Sequence, residues 1–255
     1  MSPDKKSKRQ QRREKIQQQQ TRSRLITISL VTLGAALLVF AFLYPSIRPI
    51  AEVVPVSVDL PTTYSDNTMG DPNAPIKIEE FSDFQCPFCE RFHEETEPLL
   101  KQYYIETGKV YFVYRSMGNW VSQNIGGART ESRDAIAAAY CAGDQNKFWE
   151  MQAHLFGNVL GEDVGSFTDQ RLVAIAEVAG LNMDEFNACY DSGKYIDRTQ
   201  QDFDDGSAAN VNGTPGFIVT WTVNGETKTK QIEGAQPFSV FQTELEAILA
   251  ELNTQ

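Results

Sequence analysis

The chain reads as an α/β domain carrying an inserted all-helical block and preceded by a single N-terminal transmembrane helix. Three observations lead there. Leu25 to Tyr44 carries no charge, the order beyond residue 65 is strand, helix, strand, helices, hairpin, helix, and the middle of the chain keeps an unbroken helical period.

Residues 1–24 hold nine basic side chains (Lys5, Lys6, Lys8, Arg9, Arg12, Arg13, Lys15, Arg22 and Arg24) against Asp4 and Glu14, with glutamines at 17–20. Such a segment is expected to be a disordered cytoplasmic tail. Residues 25–44, LITISLVTLGAALLVFAFLY, form a charge-free run of twenty residues, long enough to cross a bilayer as a helix. A cleaved signal peptide is the alternative. The run outlasts the usual apolar region of such peptides, however, and Ala41-Phe42-Leu43-Tyr44-Pro45 lacks the small residues of a cleavage site. Basic residues crowd before the run and only Arg48 lies close after it. The expected topology is therefore single-pass in the cell membrane, with the N-terminus cytoplasmic and the rest of the chain outside. Thiols there face an oxidising compartment. Pro45, Pro49, Pro55 and Pro61 make residues 45–64 a semi-extended extracytoplasmic linker, and residues 65–255 are the expected folded domain.

Within that domain Ile76 to Phe81 alternates as a strand, which puts Ile76, Ile78 and Glu80 on one face. A helix follows from Cys86 towards Thr107, with Phe92, Leu99, Leu100 and Tyr103 on its inner side and Pro98 bending it. Gly108 caps it, and Lys109 to Arg115 is rich enough in β-branched and aromatic residues for a second central strand. Helical spacing runs on from about Thr130 to Gly206, with Asn182-Met183-Asp184-Glu185 in capping-box form. Gly216 to Val223, an Asn224-Gly225 turn and Lys228 to Ile232 make a hairpin, and Phe238 to Leu252 a closing helix with one apolar face.

The chemistry concentrates in Glu80-Phe81-Ser82-Asp83-Phe84-Gln85-Cys86-Pro87-Phe88-Cys89. Two residues between cysteines, taken up in a first helical turn, bring the sulfurs within bonding range without unfolding anything. The unsatisfied N–H groups and partial positive charge of a helix start favour a thiolate at Cys86, the expected nucleophile. Pro87 suits the first turn, and Cys89 sits deeper as the resolving thiol. An acid on the inward strand face at Glu80 would have a raised pKa and could pass a proton to that thiol. A metal site is not expected, since there is no second CxxC and neither His93 nor His154 completes a zinc spacing. His93 and His154 are given no catalytic role, and Trp120 stands where it could border a substrate groove.

Overall net charge is −11. Residues 1–50 hold ten of the basic and two of the acidic side chains, which leaves 13 basic against 32 acidic beyond residue 50. So acidic a domain argues against nucleic acid as a partner.

The order of elements, with the motifs FSDFQCPFC and Val211-Asn212-Gly213-Thr214-Pro215-Gly216-Phe217, resembles the DsbA-like branch of the thioredoxin superfamily over about residues 65–252. The resemblance implies a thioredoxin fold whose insertion is the helical block, about residues 120–209. It implies that Pro215 is cis beside Cys86, that Thr214, Pro215 and Phe88 meet an extended substrate, and that Glu80 matches the buried acid below the dithiol. The best-known members carry histidine where this chain has Phe88, and phenyl cannot stabilise a thiolate. A less strongly oxidising pair is therefore expected. Cys141 and Cys189, left over in an oxidising compartment, are expected to pair as a structural disulfide, with two separate buried thiols as the alternative.

The implied activity is protein-disulfide oxidation without a cofactor, acting on thiols of unfolded or exported proteins. Reoxidation would fall to a quinone-linked membrane partner of the DsbB-like or vitamin K epoxide reductase-like type. A disulfide reductase or isomerase, and a non-catalytic thioredoxin-fold module that binds peptides, are the alternatives.

Overall fold

The computed structural model describes residues 8–47, 49–127 and 129–254, and divides into two compact units, residues 1–50 and 51–255. Residues 1–7 of the basic tail, Lys5 and Lys6 among them, and Arg48 lie outside the described residues.

In the first unit a single helix, α1, runs from Lys8 to Ile47 and is long and apolar enough to cross a membrane. The disorder expected before residue 25 is thus corrected from Lys8 onward. Lysine, arginine, glutamine and glutamate are all good helix formers, and the apolar helix gives them a nucleus to extend.

The second unit opens with an extended segment, residues 51–61, held against its own domain rather than hanging as a free linker. Val54 donates its N–H to Asn158 Oδ1 at 2.8 Å, and Asn158 Nδ2 returns a bond to the Val54 carbonyl at 3.0 Å. Val56 N–H donates to His154 Nε2 at 3.2 Å, while His154 Nδ1 lies 2.7 Å from the Glu150 carbonyl. Arg171 donates to the Ala51 carbonyl at 2.6 Å. These are side-chain bonds to backbone, so the strip of chain carries no periodic signal of its own.

A small hairpin follows, β1 (Tyr64–Ser65) and β2 (Thr68–Met69). Then come β3 (Ile76–Ser82), α2 (Pro87–Glu95), α3 (Glu97–Leu100), a wide π-turn over Lys101–Ile105, and β4 (Val110–Ser116). Pro98 does more than bend the helix: α2 ends and α3 starts with the proline in its first turn. The insertion comprises α4 (Trp120–Asn124), α5 (Glu131–Gly143), α6 (Phe148–Phe156), α7 (Asp169–Val178), α8 (Met183–Asp191) and α9 (Ile196–Ala208). Asn182 caps α8 by accepting from Asp184 N–H at 3.1 Å and donates to Glu185 at 2.8 Å. The chain closes with β5 (Gly216–Val223), β6 (Glu226–Glu233) and α10 (Phe238–Leu252).

The sheet order is β1-β2-β4-β3-β5-β6, with β3 parallel to β4 and antiparallel to β5. β3 is central because both its faces are wanted: Ile76, Ile78 and Glu80 are buried, while Glu79 points the other way to an ion pair with Arg115 at 2.9 Å. Arg115 also holds Asp202 of α9 at 2.6 Å, and Gly206 lets α9 come close, since a Cβ there would meet the Phe81 ring at 2.7 Å. On the α10 side Phe92, Phe217 and Phe241 pack with ring centroids 4.6 to 5.6 Å apart. Beside the insertion Phe84 stacks on Tyr114 at 5.3 Å and meets Phe156 edge-on at 5.0 Å. At the sheet's edge β6 pairs with β5 alone and exposes Glu226, Lys230 and Glu233.

Candidate active site

Strand β3 delivers the chain to the start of α2, and Cys86 is the residue that caps it, with extended φ −76° and ψ 119° and Pro87 in the first turn. An extended cap residue turns its side chain towards the exposed N–H groups of the helix. Cys86 is 5% exposed and Cys89 fully buried, and both sulfurs are free. Cys86 Sγ lies 3.4 Å from the Thr214 carbonyl, and the Thr214–Pro215 bond is cis. Phe88, 54% exposed, stands at the rim with the Arg91 guanidinium 5.2 Å from its ring centre.

The two sulfurs are driven apart in acidity. Hydrogen bonding from the Cys89 thiol lowers Cys86 to about 7 against the opposing effect of burial, and Thr214 with the backbone N–H groups of Cys89 and Phe88 adds to the lowering. Burial pushes Cys89 well above its ordinary value, reinforced by Cys86 and by the negative charge of Glu80. One sulfur is thus poised to attack or leave as thiolate, and the other holds its proton.

Glu80 is 1% exposed on the sheet below, and burial, then the charge of Glu97, raises it well above the usual 4.5. The native state therefore keeps a proton that the unfolded chain releases, and stability from this position falls as pH rises from 4.5 towards the folded pKa. Glu80→Gln is accordingly expected to stabilise the reduced protein against denaturant at neutral pH by about 1–3 kcal/mol. The gain should vanish below pH 4.5, the usual carboxylate value. Chemical denaturation across that range checks it, and a pH-independent difference would contradict it.

Several site residues carry no periodic or spacing signal in the sequence. Asp83 accepts from Gln85 N–H and Val121 N–H, both at 2.9 Å, and burial lifts it to about 6 despite those bonds. Gln85 donates to Ser122 at 3.0 Å and Ser132 at 2.8 Å and accepts from Asp163 N–H at 2.6 Å. Together they fasten the loop before Cys86 to the insertion. Asp83 and Gln85 lie inside the motif itself, so the hint was their place beside the cysteine.

His93 stacks on Phe156 at 4.9 Å and pairs with Glu97 at 3.2 Å; burial disfavours its charge, but Glu97 outweighs that and raises its pKa. Trp120 lies half-buried against Phe203 in a small apolar cluster with Phe81, Met117 and Val211. Cys141 and Cys189 are bonded, S–S 2.00 Å, and join α5 to α8. Among the described residues no cluster of histidine, cysteine and acidic side chains could hold a metal.

Parts of the chain are similar to known proteins in sequence, and its fold is similar to that of solved structures. The Na(+)/H(+) antiporter NhaA 1 of Salinispora arenicola is 28% identical over 167 residues, 66% of this chain but 22% of the antiporter's length. A Rickettsia felis protein named "Putative protein-disulfide oxidoreductase" is 25% identical over 190 residues, 72% of this chain and 63% of that protein. Wolbachia pipientis alpha-DsbA1 superposes with TM-score 0.60 at 21% identity, covering 74% of this chain and 92% of that one. Oxidised BdbD from Bacillus subtilis gives 0.58 at 18%, covering 76% and 98%. At such identities the likeness to the solved structures is one of fold. Residues 62–235 match the family model described as thioredoxin, and with an overall fold similar to that of DsbA proteins, the chain belongs to the thioredoxin family and has a DsbA-like fold.

Proposed function

We propose that this protein is a membrane-anchored thiol:disulfide oxidoreductase whose domain works outside the cytoplasm and forms disulfides in exported or unfolded proteins. The observation that carries the reading is the Cys86 thiol at the start of α2, lowered to about 7 beside a buried partner thiol and 3.4 Å from the Thr214 backbone carbonyl. A substrate thiolate attacks Cys86 in the oxidised pair, Cys89 leaves, and a second substrate thiolate releases Cys86 from the mixed disulfide. Thr214, Pro215 and Phe88 line the place where an extended chain would lie, its backbone meeting that of Thr214. Helix α1 is the anchor, with the basic end on the cytoplasmic side. Regeneration falls to a quinone-linked membrane oxidant of the DsbB-like or vitamin K epoxide reductase-like kind.

The reverse direction, reductase or isomerase, is the second reading. It is favoured by Phe88, which adds no positive charge near Cys86. Equilibrating the full-length protein in detergent with glutathione decides between them. A potential well above that of glutathione supports oxidation, whereas one below roughly −300 mV overturns it in favour of reduction.

A further inference from the structure

Beneath Cys89 three buried oxygens stand together, Ser82 close enough to act on both Glu80 and Tyr114, yet none of the three is in a well-formed hydrogen bond. Glu80 and Tyr114 are register partners on the adjacent strands β3 and β4, and Ser82, two residues beyond Glu80, shares its face. Glu80 Oε2, Ser82 Oγ and Tyr114 OH are each sealed from solvent and lack a hydrogen-bond partner. Polar groups in the interior are nearly always bonded, so three orphans on one patch mark a place whose partnering belongs to another state of the site. That state arises in the exchange reaction, and the argument rests on the function proposed above.

The first substrate thiolate bonds to Cys86 Sγ, and the Cys86–Cys89 electron pair leaves on Cys89 as a thiolate. The Glu80 carboxyl gives that thiolate its proton and becomes a carboxylate. The second substrate thiolate then takes the first substrate sulfur, and Cys86 departs as a thiolate. Two electrons have passed to the enzyme, the substrate's thiol protons have gone to solvent, and Glu80 takes up a proton later. For an interval a bare carboxylate sits in a dry interior, where it needs donors.

We propose that Tyr114 and Ser82 form a hydroxyl cradle that stabilises the Glu80 carboxylate left when its proton passes to Cys89, which makes Tyr114 a positioning residue of the exchange. The Tyr114 hydroxyl keeps its own proton, because burial and the neighbouring charge of Glu80 push it well above its ordinary value, so it is a donor throughout. The other groups facing Glu80 cannot serve: Glu97 from α3 carries like charge, Cys86 and Cys89 from α2 are the reacting sulfurs, and Phe217 opposite on β5 is apolar.

The test is the pH dependence of the reduction of the oxidised full-length protein by dithiothreitol, read by quenching and thiol trapping, in wild type, Tyr114→Phe, Ser82→Ala and Glu80→Gln. Tyr114→Phe removes one oxygen and keeps the ring packed on Phe84. Expected is a wild-type inflection that is absent in Glu80→Gln and shifted upward by about one pH unit in Tyr114→Phe, with a smaller shift in Ser82→Ala. An inflection that stays in place in both hydroxyl variants, or one that survives in Glu80→Gln, overturns the cradle. A wild type inert to dithiothreitol would overturn the exchange reading itself, an outcome distinct from either.

Discussion

Cys86→Ser is expected to abolish disulfide exchange down to the uncatalysed background, while Cys89→Ser still forms a mixed disulfide and then holds it. The asymmetry follows from the two environments. Cys86 sits at the helix cap with its thiol lowered to about 7, whereas Cys89 is wholly buried and pushed up, so only one sulfur can open the reaction. Incubating each variant with a disulfide-containing peptide and resolving the products by mass reads this directly. Cys89→Ser should accumulate the peptide adduct, and Cys86→Ser should show none. The same experiment separates catalysis from passive peptide binding, since a binding module would keep its affinity in Cys86→Ser and lose nothing by it. Adduct formation through Cys89 in the absence of Cys86 would reverse the assignment of roles.

The second large effect belongs to stability. Cys141 and Cys189 are 48 residues apart in sequence and tie α5 to α8. Closing a loop of that size restricts the unfolded chain by about 4 kcal/mol in the chain-entropy account. The double replacement Cys141→Ser with Cys189→Ser is therefore expected to lower unfolding free energy by that order, or the melting temperature by roughly 10 °C. Denaturant unfolding of the two proteins checks it. A loss under about 1 kcal/mol would mean that the helices of the insertion hold each other without the bond. Below its melting point the variant should still exchange disulfides with peptides, because the bond lies outside the residues around Cys86.

Much of this architecture was legible in the chain, and the parts that were not share a physical cause. Long elements announced themselves: β3 by alternation, β5 and β6 by the Asn224-Gly225 turn between them, α8 by its Asn182 cap. β1 and β2 could not, because two-residue strands have no period to read: they straddle and follow the expected end of the linker at residue 64 and received no assignment. The hold on residues 51–61 was equally hidden, since Asn158, His154 and Arg171 bind backbone, whose sequence is immaterial. At the site, Cys86, Cys89 and Glu80 could be nominated from the sequence because spacing and strand parity speak for them. Tyr114 read as one more aromatic in a strand, and only the register that sets it opposite Glu80 gives its hydroxyl a meaning.

The outermost strand has a bearing on the company this protein would keep. An unfolded client is a length of backbone seeking a partner, and a smooth apolar sheet margin would template it into a growing aggregate. Glutamates and a lysine displayed along β6 make that margin inhospitable, so under the proposed function a visiting chain would find purchase at the dithiol instead. If the proposed function holds, the molecule has one side to which sticky guests would not adhere.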